Sequence, residues 1–195
     1  MAISRGILVG RFQPFHLGHL SAVRDASREV DELVIVIGSS QKSHEFRNPF
    51  TAGERIEMIR ETLIMEQEID EHRIMLIPVP DTDIHQLWTY QIDLLVPRYD
   101  RVFTNDPFTT YLFTERGVSV VQPRLHRRRD LSATKVRRWM VMDRDWQSLV
   151  SRRTAEFIGT ISGVRRVKSL FQQRDLNSQI YKHQYKSYTQ QDLSS

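Results

Sequence analysis

Five short apolar segments alternate with longer stretches of helical character, and this alternation constrains the fold of the 195-residue chain most strongly. The apolar segments are residues 6–10, 32–38, 73–79, 101–103 and 118–121, and the helical stretches between them are residues 17–30, 51–68, 85–95 and 109–116. The apolar residues within each segment are continuous, which is typical of parallel strands buried on both faces. The pattern therefore predicts an α/β fold: a Rossmann-like, doubly wound parallel sheet flanked by helices.

The chain changes character after Pro123. Helical patterns then cover residues 132–142, 146–150 and 152–163, so we expect a helical C-terminal part. The final residues are polar and rich in Gln and Ser. We therefore predict one domain over residues 1–170, followed by a polar C-terminal tail over residues 171–195.

Composition excludes several classes of protein. The longest apolar runs have five or six residues, whereas a membrane span needs about 20. The N-terminus lacks the pattern of a secretory signal. Cysteine is absent, which excludes disulfides, thiolate nucleophiles and Cys-ligated zinc. We therefore expect a cytoplasmic protein that does not bind a membrane.

Positive charge is concentrated in residues 124–138. The net charge of the whole chain is +4, but this segment alone holds seven cationic side chains and one carboxylate. The cations are Arg124, Arg127, Arg128, Arg129, Lys135, Arg137 and Arg138. Such a cluster indicates a binding site for a polyanion, either a phosphate chain or a nucleic acid.

The strongest motif is the stretch Gly10-Arg-Phe-Gln-Pro-Phe-His-Leu-Gly-His19, which follows the first predicted strand. Ligands bind at the carboxyl ends of such strands, so the loops after residues 10, 38, 79 and 103 are expected to form the site. His16 and His19 share one face of the following helix, and Gly18 allows close approach to the backbone. Free N–H groups at the helix start would add positive potential, so this motif predicts a phosphate site. No third ligand for zinc stands out, so no metal site is predicted.

This stretch resembles the His-x-Gly-His motif of the nucleotidylyltransferase superfamily, and its longer form resembles archaeal-type nicotinamide-nucleotide adenylyltransferases. Three further segments agree: residues 37–44, residues 48–55 and residues 132–137, which match the family's second phosphate motif, Ser-x-Thr-x-x-Arg. The resemblance extends from about residue 5 to residue 168 and includes both phosphate motifs, at residues 10–19 and 132–137.

The resemblance implies transfer of AMP from ATP to nicotinamide mononucleotide, giving NAD and pyrophosphate. It implies a homo-oligomer, Mg²⁺ or another divalent ion carried by ATP, and no nucleic-acid partner. The catalytic residues would be His16, His19 and Arg137. ATP would contact Gly10, Phe12, His16, Gly18, His19, Asp106, Ser132, Thr134 and Arg137. The mononucleotide would contact Arg11, Ser39, Gln41, Arg47, Asp81 and Trp88.

Physical chemistry agrees with several of these roles. Arg11 and Arg47 can each grip a phosphate through two parallel hydrogen bonds. The indole of Trp88 can stack on a cationic nicotinamide ring. Ser132 can cap a helix whose first turns carry Lys135 and Arg137. A cation at the positive end of a helix dipole is unfavourable unless an anion binds there, which again indicates a triphosphate.

The chain departs from the family pattern at five positions. Asn105 and Asp106 stand where the family often has Gly-Asn, and an ionised Asp106 only accepts hydrogen bonds. Thr82 and His85 replace residues that face nicotinamide, and Lys135 replaces a frequent Glu. Selectivity for the acceptor is therefore the least constrained inference.

Two other functions remain open at this point. One is nucleotidyl transfer to another phosphate acceptor, such as a flavin nucleotide or phosphopantetheine. The other is a non-enzymatic module that binds RNA or nucleotides through residues 124–138. The second leaves the histidine pair unexplained. A class I aminoacyl-tRNA synthetase is disfavoured because the chain has no Lys-Met-Ser-Lys-Ser motif.

Overall fold

The computed structural model describes residues 3–65, 69–123 and 131–174. Its strands are β1 (Arg5–Gly10), β2 (Glu32–Ile37), β3 (Ile74–Pro78), β4 (Arg101–Phe103) and β5 (Ser119–Val121). All four neighbouring pairs are parallel, in the order β3-β2-β1-β4-β5. The predicted doubly wound parallel sheet is therefore confirmed.

Helices cover both faces of this sheet. They are α1 (Leu17–Ser27), α2 (Ala52–Ile64), α3 (His85–Leu95), α4 (Pro107–Glu115), α5 (Ala133–Val141) and α6 (Arg152–Thr160), and residues 163–174 are also helical and are called α7. Short 3₁₀ turns cover Glu71–Arg73 and Gln147–Leu149. No helix within the described ranges is long and apolar enough to cross a membrane.

Helix ends follow local capping chemistry. Thr51 and Glu54 form a capping box at the start of α2. The Thr51 hydroxyl accepts the backbone N–H of Glu54 at 3.1 Å, and the Glu54 carboxylate accepts the backbone N–H of Thr51 at 2.9 Å. Helix α4 begins at Pro107, two residues earlier than predicted, because the carboxylate of Asp106 accepts the N–H of Thr109 at 2.8 Å.

Three other predicted helices have different ends. Helix α1 stops at Ser27, before the predicted residue 30, because the chain must turn back into β2; Asp31 fixes that turn by accepting the Ser4 N–H at 2.8 Å. Helix α2 ends at Ile64. Ser162 has a left-handed φ of 52°, so the predicted helix 152–163 is broken into α6 and α7.

The buried strands explain the continuous apolar runs. Leu8, Ile35 and Phe103 face the core beneath α1, α2, α5 and α6, whereas Ile7 and Val34 face the core beneath α3 and α4. Successive residues of one strand thus enter two different cores. From β1 the chain first adds β2 and β3 on one side of the sheet and then adds β4 and β5 on the other side. A ligand site is therefore expected at the carboxyl ends of β1 and β4, where the chain changes sides.

The C-terminal helix packs on this domain. Helix α7 continues across the predicted boundary at residue 170, and the ring of Phe171 lies 5.6 Å from that of Phe46 between centroids. The division into residues 1–170 and a tail stays a prediction. Residues 175–195 of that tail lie outside the described residues, as do residues 124–130 of the basic segment.

Candidate active site

Two adjoining cavities lie at the carboxyl ends of the strands, and Val9, Arg11 and Asp106 line both of them. The first cavity has a volume of about 470 Å³ and contains most of the predicted ATP contacts: Phe12, His16, Gly18, His19, Ser132, Thr134 and Arg137. The second has a volume of about 640 Å³ and contains Arg11, Ser39, Arg47, Asp81 and Trp88. The loops after β1, β2, β3 and β4 all contribute, as expected.

Two of the predicted site residues are placed differently. Gly10 lines the second cavity instead of the first. Gln41 lines neither cavity, and its Oε1 accepts the backbone N–H of Asp81 at 3.0 Å. Gln41 therefore supports Asp81 and does not face the space where a ligand would lie.

The two histidines of the first motif form a stacked pair, with ring centroids 3.6 Å apart. His16 is the N-cap of α1, and its Nδ1 accepts the N–H groups of Gly18 at 3.1 Å and His19 at 3.3 Å. Nδ1 of His19 accepts the N–H of His16 at 3.3 Å. Those backbone N–H groups are therefore not free, which corrects the expectation that they would attract the anion directly.

This arrangement fixes the protonation of both imidazoles. Burial lowers the pKa of His16 to about 4, and burial together with the neighbouring His16 lowers the pKa of His19 well below its usual range. Both rings are therefore neutral at pH 7. Because each Nδ1 accepts a hydrogen bond, each proton resides on Nε2, which is left to donate to a ligand.

Aromatic rings hold His19 in place. Phe12 meets it edge-on at 4.8 Å between centroids, and Phe15 stacks on it at 5.6 Å. The imidazole thus has apolar neighbours on two sides and still lines the first cavity. A ring confined in this way keeps its donor in one orientation, which suits a group that must meet a short-lived transition state.

Packing alone requires glycine at position 18, which also lines the first cavity. A Cβ atom at this position would lie 3.0 Å from Cε1 of His16 and 3.3 Å from Cβ of Leu131. The His16 ring and Leu131, the residue before Ser132, therefore occupy the space that a side chain at position 18 would need. Gly18 serves the packing of the two phosphate motifs against each other, and close approach of a ligand is not required to explain it.

Arg137 lies in the first cavity and is 8% exposed. Its Nη1 donates to the carbonyl of Gln13 at 2.6 Å, and its Nη2 donates to Oγ1 of Thr134 at 3.4 Å. Its buried Nε has no partner among the described residues. Burial, followed by the charges of Arg11 and Arg47, lowers the pKa of Arg137 to about 10. Three guanidinium groups therefore repel one another here, and a bound anion would relieve that repulsion.

Helix α5 begins as predicted, but Lys135 does not face the anion site. The Oγ of Ser132 accepts the N–H of Lys135 at 3.1 Å and caps the helix. The Lys135 ammonium lies over the ring of Trp139, 4.9 Å from its centroid. Its charge is thus drawn one turn away from the positive end of the helix, so Lys135 gives no separate indication of an anion.

A fixed polar group lines the second cavity. Asp81 accepts a hydrogen bond from Oγ of Ser39 at 3.0 Å and pairs with Nζ of Lys42 at 2.9 Å. Burial opposes ionisation of Asp81, but the hydrogen bonds from Lys42 and Ser39 outweigh it and hold its pKa below the usual value. Asp81 is therefore ionised at neutral pH and can accept hydrogen bonds from hydroxyl groups of a sugar.

Aromatic side chains form the other wall of the second cavity. Trp88 lines it, and the buried indole Nε1 of Trp88 has no partner among the described residues. His85 also lines it and meets Phe108 edge-on at 5.2 Å between centroids. Flat apolar surfaces beside cations suit a nucleotide whose base is aromatic and whose phosphate is anionic.

Asp106 already has a structural role as the cap of α4. Its Oδ2 accepts both the N–H and the Oγ1–H of Thr109, each at 2.8 Å. Asn105 donates from Nδ2 to the carbonyl of Pro123 at 3.2 Å and supports the same loop. At these positions, where the chain departs from the family pattern, both side chains therefore form hydrogen bonds that hold the loop at the junction of the two cavities.

Sequence reasoning missed three residues at the site. Lys42 lines the second cavity, and the side chain of Gln13 exchanges two 2.9 Å hydrogen bonds with the backbone of Phe50. Arg55 is completely buried beneath the loops. A signal for Arg55 existed, because its position on α2 lies on the same face as the apolar residues Met58 and Ile59.

The polar groups of the cavities suit an anion better than a cation. The described residues contain no cluster of three histidine, aspartate or glutamate side chains that could hold a metal ion. The first cavity instead presents imidazole N–H groups and guanidinium groups, which are hydrogen-bond donors. Phosphate is the ligand that such donors bind best.

Comparison with known proteins agrees with this geometry. A family model described as cytidylyltransferase-like matches residues 7–139. The chain is 45% identical over 168 residues to nicotinamide-nucleotide adenylyltransferase of Thermococcus kodakarensis, covering 86% of this chain and 89% of the relative. It is 39% identical over 168 residues to the protein of that name from Saccharolobus solfataricus, covering 86% of this chain and 97% of the relative.

A solved structure shares the fold at much lower identity. The bifunctional NMN adenylyltransferase/ADP ribose pyrophosphatase of Francisella tularensis, complexed with AMP and a manganese ion, superposes with a TM-score of 0.72 at 18% identity. The match covers 93% of this chain and 56% of that one, so this chain spans just over half the length of the bifunctional protein.

Proposed function

The chain belongs to the family of nicotinamide-nucleotide adenylyltransferases, and on that premise we propose that it transfers AMP from ATP to nicotinamide mononucleotide, forming NAD and pyrophosphate. The observation that carries the proposal is the pair of adjoining cavities that share Arg11. One holds the neutral histidine pair and Arg137, which suit a triphosphate. The other holds Trp88 and Arg47, which suit an aromatic mononucleotide.

The reaction needs positioning and charge stabilisation more than proton transfer. A phosphate oxygen of the mononucleotide attacks the α-phosphorus of ATP, and the bond from that phosphorus to the oxygen bridging the α- and β-phosphates breaks. The electron pair of that bond leaves with pyrophosphate. Because the attacking phosphate is already an anion at neutral pH, no side chain has to act as its base.

Each group in the cavities then has a proposed task. His16 and His19 donate from Nε2 to the reacting phosphate oxygens, where charge accumulates in the transition state. Arg137 binds the β- and γ-phosphates as pyrophosphate develops charge. Arg11 and Arg47 hold the attacking phosphate, and Trp88 stacks on the nicotinamide ring.

We propose that Mg²⁺ accompanies ATP as a counter-ion. Phosphate oxygens and water are the ligands that Mg²⁺ commonly keeps at nucleotide sites. The first cavity is rich in hydrogen-bond donors, which would bind phosphate oxygens. The Mg²⁺ ion would then be held by other phosphate oxygens of ATP and by water. When bound, the ion would neutralise part of the triphosphate charge.

We also propose a homo-oligomer and a cytoplasmic location. Large apolar side chains are exposed on α3, α4 and the residue before α3, namely Ile84, Leu87, Tyr90, Leu94 and Tyr111. Burying such residues between copies would remove apolar area from water. Light scattering of the purified protein would give the number of subunits.

ATP and a mononucleotide carry charges that do not cross membranes unaided, so the enzyme must share their compartment, which we propose to be the cytoplasm.

The test is a direct assay of acceptors. Purified protein with ATP, Mg²⁺ and nicotinamide mononucleotide should give NAD and pyrophosphate in equal amounts. Flavin mononucleotide and phosphopantetheine serve as alternative acceptors, and labelled ATP reports any adenylylated product. A higher kcat/KM with either alternative acceptor would overturn the proposed substrate. RNA binding without release of pyrophosphate would overturn the enzymatic function altogether.

Changing Arg47 to alanine should chiefly weaken binding of the mononucleotide. We expect its KM to rise by about tenfold to a hundredfold, because a charge-assisted hydrogen bond contributes about 1.5–3 kcal/mol. The KM for ATP should change much less than the KM for the mononucleotide, because Arg47 lines the second cavity only and acts on the first through its charge. The matched control is Arg152→Ala, which removes an exposed guanidinium on α6. An unchanged KM for the mononucleotide in Arg47→Ala would remove Arg47 from this role.

The two motif histidines should remain neutral in the free protein as the pH falls from 8 to 5. Their lowered pKa values mean that protonation is displaced below the usual value of about 6.5. Nitrogen chemical shifts should place the proton of each ring on Nε2, with His16→Asn and His19→Asn used to assign the signals. Titration of either ring near pH 6.5, or a proton on Nδ1, would contradict the geometry described here.

A further inference from the structure

A buried cation lies beneath the site and forms no salt bridge among the described residues; the Asp81 carboxylate acts on it only through its charge at longer range. Arg55 is 0% exposed, on the face of α2 that also buries Met58 and Ile59. Among the described residues, no carboxylate forms an ion pair with it. Burying a charge is strongly unfavourable unless hydrogen bonds compensate it, so the contacts of this guanidinium require an explanation.

Backbone carbonyl groups satisfy Arg55. Its Nε donates to Thr51 at 3.1 Å, its Nη1 to Arg11 at 2.9 Å and to Gly38 at 2.8 Å, and its Nη2 to Ser39 at 3.2 Å. Burial lowers its pKa to about 10, so it stays protonated at neutral pH and keeps all its donors. One planar fork therefore ties the loop after β1 to the loop after β2.

Those loops have unfavourable backbone conformations at the points where they are held. Phe12, which follows Arg11, has a φ of 52°, and Ser39 has a φ of 50°. Residues other than glycine adopt such angles rarely, and they persist only where surrounding contacts enforce them. The hydrogen bonds from Arg55 to the adjoining carbonyls are contacts of that kind.

Two side chains on these loops line the cavities. Arg11 lines both cavities, and Ser39 lines the second one, where its hydroxyl binds Asp81. The position of the Arg11 backbone thus determines where its guanidinium can hold the attacking phosphate. A displacement of about 1 Å at such a site can lower a rate by about a hundredfold.

We infer that Arg55 is a positioning residue for adenylyl transfer. Its buried guanidinium fixes the loops after β1 and β2 relative to each other, so that Arg11 and Ser39 face the mononucleotide beside the ATP cavity. This inference rests on the proposed function, because it assigns the role through those two residues. Arg55 itself touches neither cavity.

Two substitutions of Arg55 test the inference. Arg55→Lys keeps the charge and loses the planar fork, so it cannot reach the separate carbonyls together. Arg55→Gln removes the buried charge and replaces the guanidinium with a shorter polar group. The control is Met58→Ala on the same buried face, which is expected to lower the melting temperature without touching the loops. All variants are assayed well below their melting temperatures.

We expect kcat/KM for the mononucleotide to fall about a hundredfold in both Arg55 variants while they remain folded. In Met58→Ala it should change by less than about threefold. A folded Arg55 variant with near wild-type kcat/KM would overturn the inference. So would a loss in Met58→Ala as large as that in the Arg55 variants. If neither Arg55 variant folds, the residue serves stability alone and the inference is also overturned.

The parallel assay of the wild-type protein separates this inference from the proposed function. If wild-type protein forms no NAD, the proposed function fails. Calorimetric binding of the mononucleotide to the folded variants then still tests Arg55, because displaced loops should weaken that binding by at least about tenfold relative to wild type and Met58→Ala. Equal affinity in all four proteins would overturn the positioning role.

Discussion

Replacing His19 with alanine should lower kcat by about a hundredfold to a thousandfold while changing the affinity for ATP by less than about tenfold. The neutral imidazole donates from Nε2 and carries no charge that would bind the ground-state triphosphate strongly. Its hydrogen bond should strengthen as charge accumulates on the oxygens of the reacting phosphorus. Steady-state kinetics together with calorimetric binding of ATP separates these two effects.

The control for this change is His72→Ala, which removes an exposed imidazole from the 3₁₀ turn before β3. His72→Ala should retain wild-type kcat. His19→Gln adds a second comparison, because its amide N–H can reach near the position of Nε2 and should restore part of the rate. Equal losses of kcat and of ATP affinity in His19→Ala would show a role in ground-state binding and contradict a role specific to the transition state.

Replacing Arg137 with alanine should lower kcat/KM for ATP by about a thousandfold. Its guanidinium lies in the first cavity, and the charges of Arg11 and Arg47 raise the benefit of a bound anion. Loss of this group removes charge-assisted hydrogen bonds from a leaving pyrophosphate whose charge grows during the reaction. Kinetics at varied ATP and the shift of melting temperature on adding ATP would measure the loss.

The adjacent residue provides a matched control. Arg138 is exposed on the same helix and lines neither cavity, so Arg138→Ala removes the same charge from outside the site and should change kcat/KM by less than about threefold. Arg137→Lys keeps the charge and should recover only part of the activity, because an ammonium cannot bind two phosphate oxygens in parallel. Similar losses in Arg137→Ala and Arg138→Ala would reduce the role of Arg137 to long-range electrostatics.

The sheet was predictable because its sequence signal is local. Continuous apolar runs such as residues 33–37 enter two cores at once, and the capping box at Thr51 and Glu54 defines a helix start within four residues. The joining of the two phosphate motifs in one cavity was also predictable, since parallel strands end at one edge of the sheet.

Other features of the site depend on contacts between distant residues. The helix spacing of Arg55 from Met58 and Ile59 indicates its burial, but its contacts could not be predicted, because its carbonyl partners at Arg11 and Gly38 lie 44 and 17 positions away. The neutral state of His16 and His19 also follows from burial, which no motif encodes. The prediction that Lys135 marks an anion site is wrong, because its ammonium lies over the ring of Trp139, away from the helix start.

The most direct measurement is a crystal structure of the protein with an ATP analogue in which a methylene group replaces the oxygen that bridges the α- and β-phosphates. Nε2 of His16 or His19 should lie about 2.7–3.2 Å from an α- or β-phosphate oxygen, and the Arg137 guanidinium should contact the β- or γ-phosphate in the same cavity. A triphosphate bound elsewhere, or one that touches the histidines while Arg137 stays on the Gln13 carbonyl alone, would contradict a shared site built from the two motifs.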